Sequence, residues 1–128
     1  MILPDILDTC KIVTYSGLTL DHYANILSAL TGWEIDGNEL LIIGERVINL
    51  QRLFNIREGF GIKDDLIPKR MMEKPLFGEY KDQGECVISD YESMLKEYYA
   101  ARNWDAKTGK PKIEKIKELQ IEQVQNST

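Results

Sequence analysis

The chain has 128 residues, 43% of them hydrophobic and 29% charged, which suits one compact globular domain and excludes a disordered segment. Its net charge of −5 argues against a broad nucleic-acid surface, which needs clustered positive charge. No apolar run approaches the roughly 20 residues that span a bilayer. The start, MILPDILDTCK, has neither a basic stretch nor a small-residue cleavage site, so a cytoplasmic protein without a secretory signal is expected.

Periodicity predicts helices joined by loops. Pro4 suits a first helical turn, and Ile6, Leu7, Cys10 and Val13 recur at helical spacing until Ser16 and Gly17 break the segment. In the next helix Leu20, Tyr23, Leu27 and Leu30 form a stripe, with Ile26 beside it. Gly32 is a natural left-handed terminator, after which Trp33 is expected to fold back over the last turn. Asp36 to Asn38 reads as a turn, with Asn38 as N-cap. The longest helix is predicted over residues 39–58. Leu40, Ile43, Val47, Leu50 and Phe54 share one face, which Leu41, Ile48 and Leu53 widen, so burial against more than one neighbour is expected. Glu45, Arg46, Asn49, Arg52 and Arg57 fall mainly on the other side, and Gly59 and Gly61 end the helix.

Asp64 or Asp65 is placed to cap a short turn of helix, where a carboxylate meets the positive end of the dipole. Residues 75–84 read as a surface loop. Ser89 with Glu92 fits an S-x-x-E capping box ahead of a stripe of Tyr91, Met94, Leu95 and Tyr98. The adjacent Tyr98 and Tyr99 are expected on different faces, unable to line one pocket. Asn103 and Trp104 end this helix in the manner of Gly32 and Trp33. The polar turn DAKTGK leads to Pro111 and a last helix carrying Ile113, Ile116 and Leu119, and residues 120–128 are expected to fray. No alternating run of strand length occurs, because LLII at 40–43 continues into helical periodicity. The fold class is all-α: one multihelical domain over residues 1–128.

Generic chemical motifs are absent from the sequence: no glycine-rich phosphate loop, no HExxH, no G-x-S-x-G elbow. The single histidine, His22, reads as a surface or boundary residue, since metal sites need converging ligands. Cys10 and Cys86 read, from the residues alone, as buried thiols that do not pair. Capping with solvation is preferred for Asp64 and Asp65 over catalysis or Mg²⁺ binding, and Lys69 and Arg70 either balance them or meet an acidic partner. No catalytic residue is assigned.

The run ERVINLQRLFNIREGFGIKDDLIPKRMMEKPL, residues 45–76, resembles the C-terminal region of the tungsten-dependent aldehyde:ferredoxin oxidoreductase family. That family shows E-R-x-x-N-L-x-R-x-F-N-x-R-E-G-F, then D-D-x-L-P-x-R and a later P-L. Glu45, Arg46, Asn49, Leu50, Arg52, Phe54, Asn55, Arg57, Glu58, Gly59 and Phe60 match, followed by Asp64, Asp65, Pro68, Arg70, Pro75 and Leu76. The segment YESMLKEYYAARNWDAKTGKP is similar to the family's ending, L-x-E-Y-Y-x-x-R-x-W-D and then G-x-P, so the resemblance covers essentially the whole chain.

The resemblance implies the last helical domain of an enzyme that oxidises aldehydes to carboxylic acids. In the complete enzyme a tungsten–bis-pterin does the chemistry and a [4Fe–4S] cluster passes electrons to ferredoxin. The family's D-x-x-G-L-C aligns with Asp5 to Cys10, which implies pterin contacts from Asp5 and Thr9 and a cluster ligand at Cys10. Asp8-Thr9 replaces Gly-Leu there, bringing bulk and negative charge where glycine would allow close backbone approach. The family's other three cluster ligands come from a CxxCxxxC that this sequence lacks, so no cofactor is expected in the chain alone. Implied partners are the N-terminal and middle domains, or a separately encoded counterpart, with ferredoxin for the whole enzyme; neither nucleic acid nor membrane is expected. Self-association is the further expectation if a docking surface stays uncovered. Arg57, Glu58, Asp64, Asp65 and Arg70 are expected to form a structural polar cluster. The alternative function is a non-catalytic helical interaction domain, kept after loss of the catalytic domains.

Overall fold

The computed structural model describes residues 3–122. Its α-helices are α1 (Leu3–Ile6), α2 (Leu20–Thr31), α3 (Gly37–Arg57), α4 (Tyr91–Ala101) and α5 (Ile113–Glu118), with short 3-10 turns between them. Among the described residues there is no strand, only an isolated bridge between Trp104 and Pro111, and the fold is all-α as expected. The chain divides into two compact units, Met1–Phe54 with Ile116–Thr128 and Asn55–Lys115.

In the first unit the opening helix is shorter than predicted. α1 stops at Ile6, Asp8 takes a left-handed conformation (φ 50°), and Lys11–Ser16 is a separate 3-10 turn. The Thr9 N–H donates to the Pro4 carbonyl at 2.9 Å, closing the end of α1. Thr19 and His22 cap α2: the Thr19 N–H donates to His22 Nδ1 at 3.1 Å, which gives the exposed histidine a local role. Leu3, Tyr23, Ala24 and Leu40 form one core, flanked by Ile6, Leu7, Leu18, Leu20, Leu27 and Ile35. Leu30 and Ile26, placed on or beside the buried stripe by spacing, are exposed, as is Trp33.

α3 begins two residues earlier than expected because Asp36, not Asn38, caps it. The Glu39 N–H donates to Asp36 Oδ1 at 2.8 Å and the Asp36 N–H donates to Glu39 Oε2 at 3.3 Å. The predicted polar side of α3 is not a solvated face. Asn49 has no exposed surface, Arg52 is buried and Gly44 is buried with them, whereas Phe54, Leu41 and Ile42 are exposed. A second core joins Leu53, Ile116, Leu119 and Ile121, with Leu50 against it. The segment ends in a Schellman motif. Gln120 is left-handed (φ 57°), its N–H donates to the Lys117 carbonyl, and the Ile121 N–H reaches the Ile116 carbonyl at 3.1 Å. Of the segment 120–128 expected to fray, Ile121 is therefore held in a core, and residues 123–128 lie outside the described residues.

The second unit carries less regular structure. Asp90 rather than Ser89 caps α4, its Oδ1 accepting from the Ser93 N–H at 3.3 Å. The buried residue of this helix is Tyr99, while Tyr98 and Met94 are exposed, so the buried stripe is rotated from the one that spacing suggested. Ile113, predicted to face inward with Ile116, is exposed as well.

Candidate functional site

The turn that joins α1 to the next 3-10 turn holds the first group of predicted site residues. Ile6 and Leu7 pack on the core. Asp5 is exposed on α1 itself, and after the left-handed step at Asp8 the residues Asp8, Thr9 and Cys10 are exposed as well. Cys10 lies in extended conformation and its carbonyl accepts from the Val13 N–H at 3.0 Å. Thr9 Oγ1 donates to the Pro4 carbonyl at 3.4 Å. Cys10 and Cys86 are both free and exposed, contrary to the buried-thiol reading. Asp8 is the left-handed C′ residue of α1 and bears a Cβ at positive φ, a conformation that glycine adopts without penalty.

An exposed thiol can supply one ligand of an iron–sulfur cluster. It cannot supply four, and among the described residues no group of three or more His, Cys, Asp or Glu is arranged to hold a metal ion. The chain's own donors therefore do not fit a complete cluster. Toward a pterin the turn offers the Asp5 carboxylate and the Thr9 hydroxyl, with the additional negative charge of Asp8 between them in sequence.

Within the same unit α3 carries a buried polar group. Arg46 Nε donates to the Leu119 carbonyl at 2.9 Å, meeting the partial negative charge at the end of α5. Asn49 Nδ2 donates to the Glu45 carbonyl at 2.8 Å from a fully buried site. Periodicity alone placed these side chains on the side opposite the apolar stripe. The signal that could have found them is their position in a helix whose apolar face is too wide for one neighbour.

The second predicted group, Arg57, Glu58, Asp64, Asp65 and Arg70, lies in the other unit. Arg57 Nε donates to Glu58 Oε1 at 3.0 Å in an exposed pair, which contributes little to stability. Asp64 Oδ2 accepts from the Gly61 N–H at 2.8 Å, the turn-capping role expected of it. Asp65 is half-buried and tied to α4: its carboxylate accepts from the Tyr99 hydroxyl and its carbonyl from the Tyr91 hydroxyl. Arg70 is exposed.

Beside Asp65's tyrosines, the chain reverses through left-handed Asn103 and lays Trp104 over the end of α4. The Trp104 ring centroid lies 5.7 Å from that of Tyr98, edge-on at 88°, and 5.9 Å from that of Tyr99. The two adjacent tyrosines lie on different faces, Tyr99 buried and Tyr98 exposed, and the indole folded back over the helix end reaches both. The Arg102 guanidinium lies 5.4 Å from the Tyr98 ring centroid. In the turn that follows, Asp105 Oδ1 accepts from Thr108 Oγ1 and the Thr108 N–H, both at 2.8 Å, and from the Lys107 N–H at 3.1 Å. These bonds, the Thr108 hydroxyl's first, hold the Asp105 carboxyl below its ordinary value of 3.8.

Residues 1–121 match the family model described as aldehyde ferredoxin oxidoreductase, domains 2 & 3, and the chain belongs to that family. Among its curated relatives is the tungsten-containing aldehyde ferredoxin oxidoreductase of Pyrococcus abyssi, 38% identical over 94% of this chain and 19% of the relative. Those of Pyrococcus horikoshii (39% identical, 88% of this chain, 18% of the relative) and Thermococcus kodakarensis (38%, 93% and 19%) are similar to it to the same degree. The chain therefore spans about a fifth of the length of the curated relatives it matches. No helix among the described residues is long and apolar enough to cross a membrane.

Proposed function

We propose that this chain is the C-terminal helical part of an aldehyde:ferredoxin oxidoreductase-like enzyme and is not catalytic by itself. The observation that carries the reading is the family match over residues 1–121, set against a span of about a fifth of each relative. In the complete enzyme an aldehyde is oxidised to a carboxylate at a tungsten–pterin, and electrons leave through an iron–sulfur cluster to ferredoxin. Cys10 supplies one thiolate to that cluster and Asp5 and Thr9 contact the pterin. Their exposure at the end of α1 and on the segment that follows it supports these roles. The other ligands come from the N-terminal and middle domains, or from a separately encoded counterpart. Arg57, Glu58, Asp64 and Asp65 scaffold the second unit. The assembly is cytoplasmic.

A chimera tests this: the chain replaces the matched segment of the Pyrococcus abyssi relative, and aldehyde-dependent dye reduction, iron and tungsten are measured after anaerobic purification. Activity with both metals retained, and iron lost in Cys10→Ala, is the expected outcome. Unchanged iron in Cys10→Ala removes the ligand assignment. The second reading, an interaction domain without chemistry, is favoured by Asp8 in place of glycine. Its signature is a chimera that assembles at full length yet holds no tungsten.

A further inference from the structure

We propose that the loop from Pro75 to Asp82 is an apolar docking knob that inserts into a recess on the remaining part of the same enzyme. The inference rests on the reading above that this chain is one part of a larger polypeptide or complex.

The loop is built to hold its shape. The Asp82 N–H donates to the Pro75 carbonyl at 2.9 Å and closes it, and the Lys81 N–H donates to the Gly78 carbonyl at 3.2 Å inside it. Gln83 reinforces the far side, its N–H on the Tyr80 carbonyl and its Nε2 on the Glu79 carbonyl, both at 3.2 Å. Left-handed residues at Gly78 (φ 84°) and Asp82 (φ 60°) make the reversals. At the stem the Ile88 N–H donates to the Met71 carbonyl at 3.0 Å.

This self-bonded loop holds three large apolar side chains in water: Leu76 79% exposed, Phe77 85% and Tyr80 56%. They contribute almost nothing to the fold that displays them. Single exposed hydrophobes are ordinary, but three within five residues of one ordered loop mark a contact surface. Charges along the loop and its stem are mixed in sign, with Glu73, Lys74, Glu79, Lys81 and Asp82, so apolar seating rather than net charge provides recognition.

The occupant follows from size and shape. Each curated relative is about five times as long as the segment matched here, so most of the complete enzyme lies beyond this chain. A second copy is the poorer fit, because a two-fold contact must be self-complementary and a protruding knob is not.

Hydroxyl-radical footprinting of Phe77 and Tyr80 tests the proposal, in the free chain and in the chimera described above. In the chimera their labelling is expected to be largely lost, because seated side chains leave the solvent. Replacing Leu76→Ser with Phe77→Ser should then lower the chimera's tungsten content and melting temperature while leaving the free chain's melting unchanged. Equal labelling in an assembled chimera overturns the proposal and leaves the functional reading intact. Protection that grows with concentration in the free chain also overturns it, in favour of self-association. A wild-type chimera that fails to assemble overturns the functional reading, and the docking proposal with it.

Discussion

Two helices in this protein end in the same way in sequence and differently in space. α2 ends with Thr31, Gly32 and Trp33, and α4 is followed by Arg102, Asn103 and Trp104. Both terminators are left-handed, Gly32 at φ 75° and Asn103 at φ 54°. Trp104 is 6% exposed and Trp33 is 62% exposed. After α4 the Trp104 N–H donates to the Tyr99 carbonyl at 2.8 Å, five residues back, and this bond seats the indole on the helix. After α2 the equivalent acceptor, the Ser28 carbonyl, is taken by the Gly32 N–H at 2.8 Å. The Trp33 N–H donates instead to Thr31 Oγ1, whose own hydroxyl donates to the Leu27 carbonyl at 2.7 Å. A hydroxyl one residue before the terminator competes for the bond that would fold the chain back.

The largest effect that follows is in the indoles themselves. Trp104→Ala is expected to destabilise the second unit by about 3–5 kcal/mol, while Trp33→Ala costs less than about 1 kcal/mol. Urea unfolding followed by far-UV circular dichroism compares the two directly. Equal losses would mean that the two ends are energetically alike despite their geometry.

The two buried tyrosines sharpen the contrast. The Tyr99 hydroxyl donates to the Asp65 carboxylate, whereas the Tyr23 hydroxyl is buried without a partner. Tyr99→Phe is expected to cost about 2 kcal/mol, and Tyr23→Phe to be neutral or to stabilise by about 1 kcal/mol, because it removes an unpaired polar atom. Opposite signs in the same denaturation experiment are the outcome to look for.

Left-handed terminators give a third, smaller test. Asp8→Gly should stabilise the α1 end by about 1 kcal/mol, since glycine adopts positive φ without the side-chain penalty. Asn103→Gly should change little and Asn103→Ala should cost about 1 kcal/mol. Smaller again, Thr31→Ala frees the Trp33 N–H and the Leu27 carbonyl, and the fraction of tryptophan fluorescence that acrylamide quenches should fall. An unchanged quenchable fraction would remove Thr31 as the cause of the difference.

The helical class, the end of the longest helix and the surface loop at 75–84 were legible because each rests on local signals: period, glycine and turn composition. What periodicity misplaced depends on neighbours that sequence order does not reveal. Asn49 and Arg52 have the composition of a solvated face, but they lie on a helix enclosed on more than one side. Leu30 and Ile113 have the right spacing for burial, but the core ends before reaching them. The caps slipped by one or two residues, from Asn38 to Asp36 and from Ser89 to Asp90, because several capping residues sit together and tertiary contacts choose among them. At the candidate site, Thr9 and Cys10 leave the helical pattern at one left-handed residue, Asp8, which interrupts an otherwise helical run.

The turn beyond Trp104 gives the smallest expected effect and the one with a defined pH sign. Asp105 gathers three hydrogen bonds from Lys107 and Thr108, and these lower its carboxyl below 3.8 in the folded chain. A carboxylate depressed on folding contributes stability that is fully present above its unfolded value. That contribution is lost as pH falls through the folded value, so the window lies below 3.8. Asp105→Asn keeps an acceptor oxygen and removes the titration, so its difference from the wild type should be constant at neutral pH and shrink as the solution is acidified through that window. Carboxyl resonances of Asp105 followed by NMR give the same answer without unfolding. A midpoint at or above 3.8 would show that Thr108 does not hold the carboxylate.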